Sequence, residues 1–442
     1  MDSIAASGEK VSSWFLPLLA ATRHQAMKVR APLSGIRLAT LDYLISVMDS
    51  RQSRLDFTIV LHFNQKLDFD ALSHGASSAR NTFPTTGSTL KGNRWLRDSS
   101  PANGITAVGS LDSEGKVKAF VNRSIDLRHE LPVQQLVMTS NHQNVTTLVT
   151  KFHHAAADGT SAALWLHHQL AVAMGVEEAR KKPSAFQHLP LKQLSSFVRR
   201  SQFAYPTRAD QLWTLPAQRS GVRAWQSISF EASTLRKACR RTRRFTYSDL
   251  LATAALEVFG LWNREEGSQQ KPKIGLWLPI NIRRRFTEGF GNGTSRIRIY
   301  ATYSPSLSFT DKCREVRRQI NWCTSHGEWV VPNVSPITVL PRWVTRPILR
   351  RHLTRPSIDM ATGVFSHVER WNTRRDLFST LESVECVGLL HPFQALAING
   401  ATHNGRTWLT FTYDVSLFEP QHIRRLVDLY IGQIELAHRA LQ

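Results

Sequence analysis

Val149 to Leu166 reads VTKFHHAAADGTSAALWL. Its opening residues are β-branched and aromatic, which predicts a buried strand ending at the histidines. Ser161 to Ala173 then reads as a helix, so the loop between carries His153, His154, three alanines, Asp158 and Gly159. Histidine takes and returns a proton near neutral pH. Adjacent residues leaving a strand face opposite sides, so one ring can meet a cavity while the other packs inward. Ala155 to Ala157 leave room for a substrate, and Gly159 lets the chain turn sharply into the helix. Asp158 can cap that helix or hold a cation that fixes the loop. Thr160 and Ser161 read as first-turn helix residues, since no G-x-S-x-G elbow occurs in the chain. His167 and His168 read as ordinary surface or core residues.

Outward from this loop, strands and helices alternate. Phe57 to Phe63, Leu136 to Thr139 and Val145 to Phe152 read as strands, and Asp68 to Asn81 as a helix. Lys118 to Val121, after the turn signal Asp112-Ser113-Glu114-Gly115, reads as a hairpin strand. Residues 176–205 carry charge and prolines and read as a linker, and residues 1–30 as a loosely attached arm. The rest divides into a half at 31–175 that holds the histidine loop and a half at 206–442. In the second half, Thr246 with Asp249 forms a capping signal before a helix over 246–262. Ile274 to Ile282, Ile297 to Tyr303 and Trp408 to Tyr413 read as strands, the last after an Asn404-Gly405 turn. Ile423, Leu426, Val427, Tyr430 and Ile434 mark an amphipathic final helix.

The 442 residues predict two or three domains at roughly 100–200 residues each. Hydrophobic residues at 42% support sizeable cores and exclude a disordered chain. Trp14 to Ala21, broken by Pro17, falls short of the roughly 20 apolar residues of a membrane span. Four cysteines without a C-x-x-C pair suggest neither a disulfide framework nor a zinc site, and a cytoplasmic location is expected. The net charge of +22, with 42 arginines among 56 basic residues, predicts anionic partners. Nucleic acid is one such partner, through Arg236 to Arg244 and Arg342 to Arg351. It is disfavoured, because no zinc finger, RNP pattern or heptad repeat accompanies the charge. Val344 to Leu353, with Trp343 beside it, offers a basic amphipathic segment for peripheral contact with an anionic membrane.

His153-His154-Ala-Ala-Ala-Asp158-Gly159 resembles the HHxxxDG motif of the CoA- and carrier-dependent acyltransferase superfamily. That superfamily includes chloramphenicol acetyltransferase, peptide-synthetase condensation domains, polyketide-associated acyltransferases and bacterial wax ester/diacylglycerol acyltransferases. Pro32 to Asp42, Ser124 to Leu127, Thr246 to Ala255, Leu278 to Arg285 with Gly291-Asn292, and Ser366 with 386–418 are similar to further family segments. The likeness spans residues 32–440. It implies an α/β fold of two chloramphenicol-acetyltransferase-like subdomains, each a mixed sheet flanked by helices, with a central tunnel between them. It also implies an acyltransferase that moves an acyl group from a CoA or carrier-protein thioester to a hydroxyl or amine acceptor. Small molecules and lipids are the acceptor classes.

By the same resemblance His154 is the general base and His153 mainly structural. Asp158 pairs with Arg283, Gly159 serves the turn, and Asn292 contacts substrate. No metal and no bound cofactor are implied. The donor is acyl-CoA or a phosphopantetheine-linked acyl thioester, on an acidic carrier protein supplied in trans, since no LGGxS-like attachment site occurs. The DFGWG string of some members is absent, with Asp359 to His367 its nearest counterpart. The alternative within the superfamily is condensation-type amide formation on carrier-bound substrates.

Overall fold

The structure is a computed structural model. It describes residues 35–50, 53–97, 105–108, 114–140, 144–176, 209–283, 289–327, 342–353, 361–368, 378–391 and 394–442. The expected arm at 1–30, and all but residue 176 of the expected linker at 176–205, lie outside the described residues. Residues 36–442 form one compact unit.

In the first half, β1 (Ile36–Arg37) and α1 (Thr40–Met48) precede β2 (Asp56–Phe63), α2 (Phe69–Thr82), β3 (Ser88–Lys91) and β4 (Arg94–Arg97). Then follow β5 (Ile105–Val108), α3 (Glu114–Asn122), β6 (Val133–Ser140), β7 (Val145–His153) and α4 (Gly159–Ala173). The second half opens with β8 (Arg223–Glu231), α5 (Ser233–Thr242), α6 (Tyr247–Glu265), β9 (Lys273–Asn281), β10 (Thr294–Thr302) and α7 (Phe309–Ser325). It closes with α8 (Arg342–Leu353), β11 (Gly363–Val368), β12 (Leu381–Val387), β13 (Leu396–His403), β14 (Arg406–Asp414) and α9 (Pro420–Leu441).

The strands make two main mixed sheets. One is ordered β12-β2-β7-β6-β5 and the other β10-β9-β11-β13-β14-β8, with β1, β4 and β3 in a small third sheet. Strand β2 is buried on both faces. Ile59, Leu61 and Phe63 pack with Leu72 and Ala76 of α2 and with Trp165 and Leu166 of α4. Val60 joins Val149 and the α3 residues Val117 and Val121 on the other face. In the second sheet, Leu276, Leu278, Ile297 and Ile299 pack with residues of α6 and α9, such as Leu250, Phe259 and Leu426. Period-2 alternation turns Trp277, Arg296 and Ser366 of this sheet the other way, toward the first half.

Several expected elements fall in place for identifiable reasons. Asp68, Asp158, Thr246 and Ser308 each cap a helix by accepting a backbone N–H. Asn404 and Gly405 both take positive φ, 46° and 79°, as a two-residue turn between β13 and β14 requires. Lys118 to Val121 is a correction. It lies in helix α3, not in a strand, with Lys118 paired to Glu114 at 2.6 Å one turn back. Val117 and Val121 four residues apart supply the helix's buried stripe.

One strand crosses the division at residue 206. Residues 381–387 belong by sequence to the second half, yet β12 pairs antiparallel with β2 and so completes the first half's sheet. From there the chain reaches across to β14: the Cys386 and Gly388 N–H groups donate to Thr410 and Thr412 Oγ1 at 2.9 Å. A buried ion pair adds to the seam, with Arg223 Nη2 of β8 2.5 Å from Asp56 Oδ1 of β2.

Candidate active site

The histidine loop lies between the two main sheets. Its backbone is tied down by His154 N–H donating to the Leu55 carbonyl at 2.8 Å and Ala156 N–H to the His153 carbonyl at 2.9 Å. The two rings part as strand geometry demands. His153 is buried; its Nδ1 accepts the Ala155 N–H at 3.1 Å, which leaves Nε2 facing Asp49 at 3.6 Å. His154 is half-buried and lines a cavity of about 530 Å³. Phe57 packs edge-on against the His154 ring at 5.5 Å. The His154 Nδ1 atom is sealed from solvent, so Nε2 is the nitrogen left to the cavity. Burial pushes the imidazole below its usual value, and the upward pulls of its own backbone, the Asp158 charge and Asn292 do not compensate. The ring is therefore neutral at pH 7 and able to accept a proton.

Asp158 is 1% exposed and Arg283 6%. Arg283 Nη1 and Nη2 each donate to an Asp158 oxygen at 2.8 Å, a bidentate pair. Thr294 Oγ1 donates at 2.6 Å and the Ser161 N–H at 2.9 Å to the same carboxylate. Burial alone would raise the Asp158 carboxyl, but the Arg283 charge and these donors hold it below the usual carboxylate range. Arg283 also donates to the carbonyls of Gly289 and Gly291, at 3.0 and 2.6 Å. Ser161 Oγ bonds both backbone groups of Gly291 and accepts from Arg283. That hydroxyl is fully engaged in holding the loop, as a first-turn helix residue and not a nucleophile.

Two residues serve differently from expectation. Gly159 was expected to permit a sharp turn, but its φ is not left-handed and a Cβ there would meet open space. It is the exposed first residue of α4 and lines the cavity, so the missing side chain keeps the space beside His154 clear. Asn292 was expected to contact substrate, but it is buried at 1% exposure and is not among the cavity's lining residues. Its Nδ2 donates to the His154 carbonyl at 2.5 Å and to Asp42 Oδ1 at 2.7 Å. Asp42, on α1, joins the site through this bond and was not singled out by sequence reasoning; it sits at the end of the quoted Pro32–Asp42 segment. Burial pushes its carboxyl up to about 7, against the hydrogen bonds from Asn292 and the Ala39 backbone.

The cavity walls come from both halves: α1 and β2 on one side, and β9, β10, β11 and β13 on the other. Ser366 lines it. His167 instead packs on Phe378 at 4.7 Å, and His168 Nε2 bonds Ser78 Oγ at 3.0 Å. Trp343 on α8 is 79% exposed. Among the described residues no group of three or more His, Cys, Asp or Glu side chains could hold a metal ion. No described helix is long and apolar enough to cross a membrane.

No protein-family model matches the sequence, and no curated protein matches it. Solved structures do match in fold. The EpoB NRPS cyclization-docking bidomain from Sorangium cellulosum superposes with a TM-score of 0.66 at 13% identity, over 96% of this chain and 88% of that one. The first condensation domain of the CDA synthetase gives 0.65 at 14% identity, over 92% and 97%. The epimerization domain from the third module of tyrocidine synthetase B, TycB3(E), gives 0.64 at 13%, over 94% and 99%. The chain therefore has the condensation-domain fold of two chloramphenicol-acetyltransferase-like subdomains.

Proposed function

We propose that the protein is an acyltransferase that carries an acyl group from a thioester to a hydroxyl or amine acceptor. The carrying observation is His154: a neutral imidazole, one nitrogen sealed, on a cavity walled by both halves. Its Nε2 takes the proton from the acceptor as the acceptor's oxygen or nitrogen attacks the thioester carbonyl. The tetrahedral intermediate collapses, the carbon–sulfur bond breaks, and the leaving thiolate recovers the proton from the imidazolium. A thioester is already activated, so neither a covalent enzyme intermediate nor a metal is needed for the step. His153, Asp158 and Arg283 hold the loop, and Asn292 with Asp42 holds the backbone of the base. A base so placed contributes about 10²–10⁴-fold, and the joint confinement of two substrates adds to it.

The donor is acyl-CoA or an acylated carrier protein in trans; both bear phosphate and suit a chain of net charge +22. The likeness to peptide-synthetase domains favours a second reading, amide formation on carrier-bound substrates. Thiol release from free acyl-CoA, followed colorimetrically with alcohols and amines as acceptors, separates the two from release that requires a loaded carrier. His154→Ala should lower turnover about 10²–10⁴-fold with either donor. A variant that keeps most of its activity overturns the assignment of the base.

A further inference from the structure

Helix α8 (Arg342–Leu353) reverses the order of an ordinary surface helix, which turns its apolar stripe inward. Its inward residue is polar: Thr345 is buried, and its Oγ1 accepts the Tyr43 hydroxyl of α1 at 3.0 Å. Its outward residues are apolar. Trp343, Pro347 and Ile348 are exposed and Val344 is half-buried. Positions i, i+1, i+4 and i+5 lie side by side on a helix, so these four make one continuous stripe. At 79%, Trp343 is the most exposed large apolar side chain among the described residues, whereas Trp95, Trp165 and Trp262 are buried.

Positive charge accompanies the stripe. The 12 residues of α8 include Arg342, Arg346, Arg350 and Arg351 and no Asp or Glu. Arg346, exposed, stands one turn from Trp343. Arginines on the neighbouring long helices are instead matched by acids. On α7, Arg314 meets Asp311 at 2.5 Å and Arg318 meets Glu315 at 2.6 Å; on α9, Arg425 reaches Glu265 at 2.7 Å.

An indole, aliphatic groups and a guanidinium on one exposed helix fit a partner with anions at its surface and hydrocarbon just beneath. Guanidinium groups pair with phosphate, and tryptophan settles at the boundary between lipid headgroups and acyl chains. A nucleic acid would answer the cations but leave the apolar stripe against phosphate and sugar. The helix is also placed to matter. It packs on α1 through Thr345 and Tyr43, and the opposite side of α1, Leu41, Leu44, Ile45 and Met48, lines the cavity. A surface that holds α8 therefore lies one helix away from an apolar wall of that cavity.

We propose that α8 docks the protein on an anionic lipid membrane, with Trp343 and Ile348 in the interface and Arg346 on the headgroup phosphates. This attachment goes beyond the acyltransferase reading and does not rest on it.

The test is co-sedimentation of the full chain with phosphatidylcholine vesicles, with and without phosphatidylglycerol, at low salt and at about 0.5 M salt. At low salt the protein should bind the phosphatidylglycerol vesicles at least about tenfold more tightly than the others, and added salt should weaken that binding. Arg346→Gln should weaken it about fivefold, the loss of one cation near the surface. Trp343→Ala should weaken it about tenfold, the loss of one indole from the interface. Arg240→Gln, which removes an exposed charge from α5, should change it by less than about twofold. Arg346→Gln decides the matter should Trp343→Ala fail to fold. No binding to either vesicle, equal binding to both, or α8 variants that bind as well as Arg240→Gln would each overturn the assignment. No transfer occurs in this assay, so an error about His154 would leave its result untouched. Failure to bind lipid would likewise leave the base standing.

Discussion

Replacing Asp158 with asparagine tests what holds the histidine loop. The carboxylate accepts two bonds from Arg283, one from Thr294 and one from the Ser161 N–H, all between 2.6 and 2.9 Å. An asparagine of the same shape keeps one oxygen and turns an NH₂ group toward donors. The Arg283 guanidinium, 6% exposed, then lies buried without its counter-charge. Breaking a buried pair by removing one partner costs about 3–5 kcal/mol. Arg283→Met should cost a similar amount, since it strands the carboxylate. The double variant Asp158→Asn with Arg283→Met should cost less than the sum of the singles, because no lone charge remains. Urea unfolding followed by tryptophan fluorescence and by circular dichroism measures each loss. A loss below about 1 kcal/mol in either single variant, or full additivity in the double, would refute the reasoning.

The acid limb of kcat/KM should have an apparent pKa below 6.5, because burial lowers His154 and only its neutral form accepts a proton; a limb above 6.5 would contradict this. His367, pushed down to about 3 chiefly by burial, should contribute nothing to that limb, so His367→Gln should leave its midpoint in place. Asp42 ionises near 7 when folded against 3.8 as its ordinary value, so ionised Asp42 costs stability that grows as pH rises from about 4 to 7. Asp42→Asn should therefore stabilise the protein more at pH 8 than at pH 5, by up to about 3 kcal/mol less the screening at a half-buried site, and raise the melting temperature correspondingly more at pH 8; equal shifts at both pH values would count against it. Asn292→Ala should lower kcat more than it raises KM, since Asn292 bonds the backbone of the base and does not line the cavity; initial-rate kinetics that show a pure KM effect would speak for direct substrate contact instead. Gly363→Ala should destabilise by about 1–3 kcal/mol in urea unfolding, because its Cβ would lie 2.5 Å from Phe259.

Local chemistry made much of this legible in advance. The capping Asp158 and Thr246 announce their helices, Asn404-Gly405 its turn, and the Ile423-to-Ile434 stripe its buried face, because each signal is complete within a few residues. The failures have a common physical form. The turn signal before Lys118 to Val121 suggests a strand, but the Glu114–Lys118 pair and the Val117–Val121 stripe are the stronger signals and select a helix. The pairing of β12 with β2 joins residues more than three hundred positions apart, and no local pattern encodes it. The Asp42–Asn292–His154 link is likewise a product of convergence, each residue ordinary in its own neighbourhood.

Strand β12 has a bearing on how the chain comes to be folded in a cell. While the ribosome is still short of Leu381, β2 presents its outer backbone groups to whatever is near, with no neighbour to cover that edge. Its partner arrives only after most of the polypeptide has emerged, so the first sheet cannot close domain by domain during synthesis. Nascent chains of this protein should depend on chaperones that shield bare strand edges, and a gene split between the two halves should yield fragments that find their native form only together.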